Sequence, residues 1–166
     1  MDDYMHTLAG CEVSLNRALK LLYNSGRTFR VEKMPLCYLT EFAWASTETR
    51  KIVKGEERIV HFLDSKQTVR QTQWGHAYSD GCNVCTLRTI CGGMFDRGDG
   101  YNTDELYPVF VDRDQIVSQI IHDGTDPSYA NRTLDDWREE FEARLAHAQA
   151  GPPDGDHDDG YDDGGA

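Results

Sequence analysis

The chain has 166 residues, of which 39% are hydrophobic, and its formal net charge at pH 7 is -12. This length suffices for one modest domain with its own core and is too short for a TIM barrel. The acidic balance offers no basic stripe that would neutralise phosphates, so no nucleic-acid partner is expected. No stretch approaches the roughly 18 apolar residues of a membrane span, and residues 1–6 lack the regions of a signal peptide. We therefore expect a cytoplasmic protein without a membrane segment.

The five cysteines of the chain bear on its redox chemistry. Without an export signal, reduced thiols or metal ligation are favoured over disulfides. The odd count leaves one thiol outside any paired or four-ligand arrangement. We assign that place to Cys11.

An amphipathic helix is predicted first, followed by a short strand. Apolar residues recur at roughly helical spacing up to the sequence Asn24-Ser25-Gly26, and they are Met5, Leu8, Leu15, Ala18, Leu19 and Leu22. Residues 28–34 alternate weakly and stop at Pro35, which indicates a strand running into Cys37. A loop at a strand end suits a metal ligand, and the less favoured alternative is that Cys37 is a small buried apolar residue in the strand.

A β-hairpin is predicted next, after a turn or short helix over residues 46–54. Its strands are residues 59–63 and 68–72, and residues 73–75 lead from the second strand straight to a run of cysteines. The hairpin would thereby present that run against the core. His61 is predicted as a strand-face side chain and His76 as a loop residue, because neither has ligand spacing to a second histidine.

The cysteine run C-N-V-C-T-L-R-T-I-C-G-G carries the strongest functional signal of the chain. The two-residue gap lets Cys82 and Cys85 wrap around one metal or cluster. The five-residue gap then brings Cys91 back to the same centre. A fourth ligand must come from elsewhere, and Cys37 is the candidate.

Three residues beside the run have both a functional and an ordinary interpretation. Gly92 and Gly93 would let the backbone approach a cluster and aim N–H groups at its sulfurs, or they form a flexible turn. Arg88 would shift the potential of a cluster, or it is a surface residue. No nucleophile, base and orienting group can be assembled, so no catalytic residue is predicted.

Two more helices are predicted after the cysteines. The first has an apolar stripe formed by Ile116, Val117, Ile120 and Ile121, and the second runs from Leu134 to about Ala148. Thr133 and Asp136 form a weak capping box at the start of the second helix. Its apolar stripe is more typical of a core than of cofactor contact, and it consists of Trp137, Phe141 and Leu145.

The last sixteen residues contain six aspartates and no basic residue. Such a Gly-, Pro- and Asp-rich segment buries too little surface to offset its ordering entropy, so we predict disorder from about Gly151. Asp154, Asp156 and Asp158 resemble the start of a calcium loop. Asp159 stands where the turn glycine belongs and no terminal Glu follows, which favours a solvated acidic tail.

The order of helix, strand, P-L-C, E-T-R, hairpin and C-x2-C-x5-C-G-G resembles the C-terminal region of radical SAM enzymes with SPASM or twitch domains, over roughly residues 8–122. We therefore predict an α+β fold, in which helices flank a small auxiliary cluster domain that contains the hairpin. The corresponding division is a helix and strand over 1–35 that resemble the end of a radical SAM barrel, the cluster-binding domain over 36–122, a C-terminal helix over 123–150 and the tail over 151–166.

The resemblance implies an auxiliary 4Fe-4S cluster held by Cys37, Cys82, Cys85 and Cys91, serving electron transfer or the binding of a substrate, often a peptide. Phe95 stands where a full SPASM domain has a further cysteine, so the pattern is similar to the shortened twitch-like form. The C-x3-C-x2-C motif of the SAM-cleaving cluster is absent from the sequence. The chain by itself is therefore not expected to cleave SAM.

Without a barrel, the first helix would leave apolar surface exposed. We accordingly expect a separate radical SAM subunit, a misassigned start codon or a truncated gene. Two alternatives belong to other classes of protein. The same thiolates could bind a structural zinc ion in an interaction protein, or the chain could be an acidic interaction protein with inert cysteines.

Overall fold

The computed structural model describes residues 7–56, 58–62, 67–71, 76–95 and 102–150. The chain separates into two compact units, Met1–Arg132 and Thr133–Ala166. The fold is broadly α+β, since the described residues are mostly helical and also form two small antiparallel sheets. No helix in these ranges is long and apolar enough to cross a membrane.

Three α-helices of the first unit begin at residues whose side chains cap them. Helix α1 (Leu8–Asn24) follows Thr7, α2 (Thr47–Lys54) follows Ser46, and α3 (Arg113–Ile121) follows Asp112. In each case a side-chain oxygen accepts a hydrogen bond from a backbone N–H of the first turn, which that turn cannot satisfy itself. Helices α1 and α3 lie where the apolar periodicity of the sequence predicted them. Residues 46–54 were expected to form a turn or a short helix, and they contain the short helix α2.

Two hairpin-like sheets complete the first unit. Strand β1 (Arg58–Phe62) pairs antiparallel with β2 (Gln67–Gln71), with Val60 opposite Val69, which confirms the predicted hairpin to within a residue. The two-residue strands β3 (His76–Ala77) and β4 (Met94–Phe95) also pair antiparallel. Because β3 and β4 lie on either side of the cysteine run, their pairing joins the two ends of that loop. Residues 72–75, the predicted link from the hairpin, lie outside the described ranges.

Two predictions for this unit were wrong. Residues 28–34 do not form a strand, since only Val31 pairs, through a single bridge to Ser46. Lys33 has a φ of 59°, which turns the chain away from an extended path. His76 belongs to β3, opposite Phe95, and is not a loop residue.

The core of the first unit has two parts. One part is an apolar cluster of buried side chains that includes two predicted metal ligands, and it consists of Leu8, Cys37, Tyr38, Cys82, Met94 and Leu106. In the other part, α2, α3 and the 3-10 helix Thr40–Ala45 contact one another around buried Val53, Val117 and Ile120. All four residues of the predicted α3 stripe are buried, as its helical spacing requires.

The second unit contains helix α4 (Leu134–Ala150). Its capping box is reciprocal, since Thr133 Oγ1 accepts from the Asp136 N–H at 3.2 Å and the Asp136 carboxylate accepts from the Thr133 N–H at 2.8 Å. Trp137 and Phe141 are buried and stack with ring centroids 4.6 Å apart, while Leu145 is half-buried. The predicted acidic tail, with its D-x-D-x-D sequence, lies outside the described residues.

Removing the hydroxyl that caps α4 is expected to destabilise the protein. Thr133→Ala deprives the Asp136 N–H of its acceptor, and we expect a loss of about 1 kcal/mol in the free energy of unfolding, measured in urea. Ser25→Ala is the control, because the Ser25 hydroxyl donates to the Leu22 carbonyl at an exposed helix end and caps no N–H group. Equal losses in the two variants would show that the cap contributes nothing.

Candidate metal centre

All four predicted ligands, Cys37, Cys82, Cys85 and Cys91, line one pocket, here named the cysteine pocket. It contains about 310 Å³ of space outside protein atoms, including the open solvent at its mouth, and the centre of a water molecule can reach about 20 Å³ of it. The remaining wall is mostly apolar or aromatic and is formed by Pro35, Leu36, Tyr78, Leu87, Arg88, Gly93, Leu106 and Tyr107.

Short helical turns position the cysteines. Cys37 lies in the 3-10 helix Leu36–Tyr38, and Cys82 lies in the 3-10 helix Asp80–Val84. Cys85 ends the second of these, where its N–H donates to the Cys82 carbonyl at 3.2 Å. Turns over residues 86–90 then return the chain to Cys91. Tight i to i+3 turns of this kind place side chains three residues apart on the same side of the chain, as Cys82 and Cys85 are.

Two tyrosines hold the segment of Cys37 in place. Tyr107 donates its hydroxyl to the Cys37 carbonyl at 2.6 Å, and Tyr38 donates to the Glu105 carbonyl at 2.6 Å. The two rings also meet edge to face, with centroids 5.2 Å apart. These contacts fix Cys37 against residues 105–107, which in turn contribute Leu106 and Tyr107 to the pocket wall.

Polar groups lie within hydrogen-bonding distance of the sulfur atoms of Cys91, Cys85 and Cys82. The Gly93 N–H donates to Cys91 Sγ at 3.3 Å, and the Val109 N–H donates to Cys85 Sγ at 3.5 Å. Ser79 Oγ lies 3.4 Å from Cys82 Sγ. The N–H of Gly93 thus points at a cysteine sulfur, which is one of the two arrangements expected for Gly92 and Gly93. Such donors stabilise thiolate charge and tune a bound cluster.

Burial dominates the acidity of two of these thiols. Burial, with smaller contributions from the charges of Cys91 and Cys82, raises the pKa of Cys37 to about 11, while backbone N–H groups oppose the rise. Burial likewise raises the pKa of Cys91, against the N–H groups of Leu36 and Gly93. Both thiols are therefore neutral at pH 7. Uptake of a metal group would release their protons.

Four thiolates commonly bind either one zinc ion or a 4Fe-4S cluster, and the arrangement of the four cysteines can be compared with what each requires. Zinc would draw the four sulfurs to about 2.3 Å from a single centre. Within the described ranges, no three His, Cys, Asp or Glu side chains come close enough together to hold one metal ion. A cubane cluster binds each thiolate at a different iron atom, so its ligands surround a space. Four thiols that line one pocket are the donor set that such a cluster takes.

Two features of the site were not identified from the sequence. Tyr78 lines the pocket and donates its hydroxyl to the Cys91 carbonyl at 2.9 Å. The guanidinium carbon of Arg88 lies 3.3 Å from the centroid of the Tyr78 ring. Arg88 is half-buried and lines the pocket. The only signal in the sequence was the position of each residue close to a cysteine.

The other candidate ligands do not join the pocket. Cys11 is half-buried on α1 and is not part of the pocket wall. His76 packs its ring against Phe95 and is also absent from the wall. The side chain of His61 lies outside what the structure describes. The four predicted cysteines are thus the ones that the fold brings together.

Comparison with known proteins gives no relative for this chain. No protein-family model matches it, and neither a curated protein nor a solved structure matches it. The residues of the cysteine pocket are accordingly the observations from which a function can be proposed.

Proposed function

We propose that this chain binds a 4Fe-4S cluster through Cys37, Cys82, Cys85 and Cys91 and serves as an auxiliary domain of a radical SAM system. The observation that carries the proposal is the presence of all four thiols in one pocket, although Cys37 lies far before the other three in the chain. When bound, such a cluster supplies one-electron transfer or a site that holds a substrate.

The protein groups around the sulfurs have definable roles in this proposal. The N–H groups of Gly93 and Val109 would stabilise the thiolates of Cys91 and Cys85. The apolar walls formed by Leu36, Leu87 and Leu106 limit the access of water. Hydrogen bonding to sulfur and solvent exposure are two of the factors that set the potential of a cluster, and these groups would act on both.

A partner protein forms part of the proposal. The sequence lacks the C-x3-C-x2-C motif, so SAM cleavage would belong to a separate radical SAM subunit, and the present chain would serve it by electron transfer or peptide binding. Exposed apolar side chains on α1 support a protein contact there. Val13 is 61% exposed and Leu21 is 71% exposed, and contiguous apolar surface is where protein contacts form.

Metal content after anaerobic reconstitution tests the cluster. The wild-type protein, given iron and sulfide, is expected to turn brown and to bind about four irons per chain. Cys37→Ser is expected to lose most of this iron and colour, because it removes a ligand from the pocket wall. Cys11→Ser is the matched control and is expected to behave as wild type, since Cys11 lies outside the pocket.

Two results would overturn the proposal. A colourless wild-type protein with about one zinc per chain would identify a structural zinc module whose function lies in its surfaces. Equal iron loss in the Cys11 and Cys37 variants would show that the pocket does not determine iron binding.

A further inference from the structure

Arg88 occupies an unusual position for a charged side chain. It lies in the turn between Cys85 and Cys91, and its guanidinium stacks on the Tyr78 ring with 3.3 Å between the guanidinium carbon and the ring centroid. Tyr78 is itself fixed by its hydrogen bond to the Cys91 carbonyl. Both side chains line the cysteine pocket. The stack therefore holds one positive charge at the wall of the pocket.

No acidic side chain in the described part of the chain forms an ion pair with Arg88. Four other arginines each face an aspartate within 4 Å, and they are Arg30, Arg50, Arg113 and Arg138. Among the ion pairs of the described residues, Arg88 has no carboxylate partner, although the chain carries a net charge of -12. An aromatic face attracts a guanidinium without neutralising it. The pocket thus retains the full positive charge of Arg88.

We propose that Arg88 raises the reduction potential of the group bound by the four cysteines. This inference rests on the proposed function. Four thiolates bring an excess of negative charge to the pocket, and the uptake of one electron adds to it. A guanidinium is charged at every working pH, and its attraction for that charge is strong in a partly buried site. Arg88 therefore stabilises the reduced state more than the oxidised state.

A measurement of potential separates this role from simple packing. Wild type, Arg88→Gln, Arg88→Lys and Arg27→Gln are reconstituted with iron and sulfide, and iron content and visible spectra are recorded first. Each protein is then titrated with dithionite as the one-electron reductant, and the midpoint potential is read from absorbance. Arg27→Gln is the matched control, because it removes the same charge from an exposed residue outside the pocket wall.

Arg88→Gln is expected to shift the midpoint potential to more negative values. At a fixed applied potential, the ratio of reduced to oxidised protein should fall about tenfold, which corresponds to a shift of about 59 mV for one electron. Arg88→Lys keeps the charge and is expected to lie closer to wild type. Arg27→Gln is expected to match wild type. If Arg88→Gln takes up no iron, Arg88→Met replaces it, because its unbranched side chain can still pack on the Tyr78 ring.

Failure of this inference is distinguishable from failure of the cluster proposal. An iron-loaded Arg88 variant with the wild-type potential, or an equal shift in Arg27→Gln, would overturn the role of Arg88 and leave the cluster in place. A wild-type protein that binds no iron would overturn both, and that result is known before any titration begins.

Discussion

Replacing Gly93 with alanine is expected to lower the free energy of unfolding by about 3 kcal/mol and to reduce iron binding sharply. Gly93 has a φ of 63°, a conformation that L-residues adopt at a cost of about 1–2 kcal/mol. A Cβ atom there would lie 2.7 Å from the Tyr78 ring and 2.8 Å from the Ala77 carbonyl oxygen. Crowding of this kind in a packed region adds about 1–3 kcal/mol. Because the Gly93 N–H also donates to Cys91 Sγ, any shift of this backbone displaces a ligand.

Gly26→Ala is the matched control for that experiment. Gly26 has a similar φ of 68°, but a Cβ atom added to it meets nothing within 4 Å. We therefore expect only the conformational cost, about 1–2 kcal/mol, and normal iron content. Urea unfolding of the metal-free proteins and iron analysis of the reconstituted proteins give the two readouts. If both variants lose the same stability, the close approach to Tyr78 is not a constraint on this position.

The second large effect is expected at the ion pair between Arg50 and Asp123. Arg50 Nη2 lies 2.6 Å from Asp123 Oδ2 and donates to Thr125 Oγ1 at 2.9 Å, and the side chains of the pair are only 10% and 20% exposed. Arg50→Met would leave the carboxylate without its main partner. Breaking a fully buried pair costs about 3–5 kcal/mol, so for this partly exposed one we expect a loss of about 2–3 kcal/mol in urea unfolding.

Arg30→Met provides the control at the same aspartate. Arg30 Nη2 lies 3.7 Å from Asp123 Oδ2 and its side chain is 38% exposed, so solvent screens the interaction. We expect a loss below about 1 kcal/mol. A loss as large as that of Arg50→Met would mean that the net charge near Asp123, and not the buried contact, determines stability.

The contribution of the Arg50 pair is also expected to depend on pH. Burial raises the pKa of Asp123, but hydrogen bonds from Thr125 and Arg50 and the charge of Arg50 outweigh it, so the pKa lies below its ordinary value. A carboxyl group whose pKa is lowered by folding stabilises the folded state fully at any pH above its unfolded pKa of about 4. This stabilisation is lost as the pH falls through the lower pKa of the folded state. The difference between wild type and Arg50→Met should therefore be present at pH 7 and shrink below about pH 4. Urea unfolding across this range checks it, and a constant difference would contradict it.

Long periodic segments and capping residues could be predicted from the sequence because their signals are local. The helices α1, α3 and α4 follow apolar spacing, and the reciprocal cap of α4 follows from Thr133 and Asp136 alone. The hairpin of β1 and β2 likewise lies where two alternating segments flank a polar turn. In each case the residues that decide the element lie within one or two turns of it.

The parts that the sequence did not predict depend on contacts between distant residues. Residues 28–34 alternate only weakly, and apart from the single bridge of Val31 they have no strand to pair with. The positive φ of Lys33 also turns the chain there. The strands β3 and β4 have two residues each and carry no periodicity that could be read. In the site, the cysteines were named from spacing and resemblance. The stack of Arg88 on Tyr78 could not be predicted from the sequence. The two residues are ten apart in the chain, and only the folded loop brings the guanidinium onto the ring.

The separation of Cys37 from the other cysteines bears on how the protein would mature. Cys82, Cys85 and Cys91 lie within ten residues of one another, whereas Cys37 joins them in the pocket only through tertiary structure that includes the tyrosine contacts at residues 105–107. Under the proposed function, complete cofactor loading would require a finished tertiary structure. The colour of the protein would then report correct folding around Cys37.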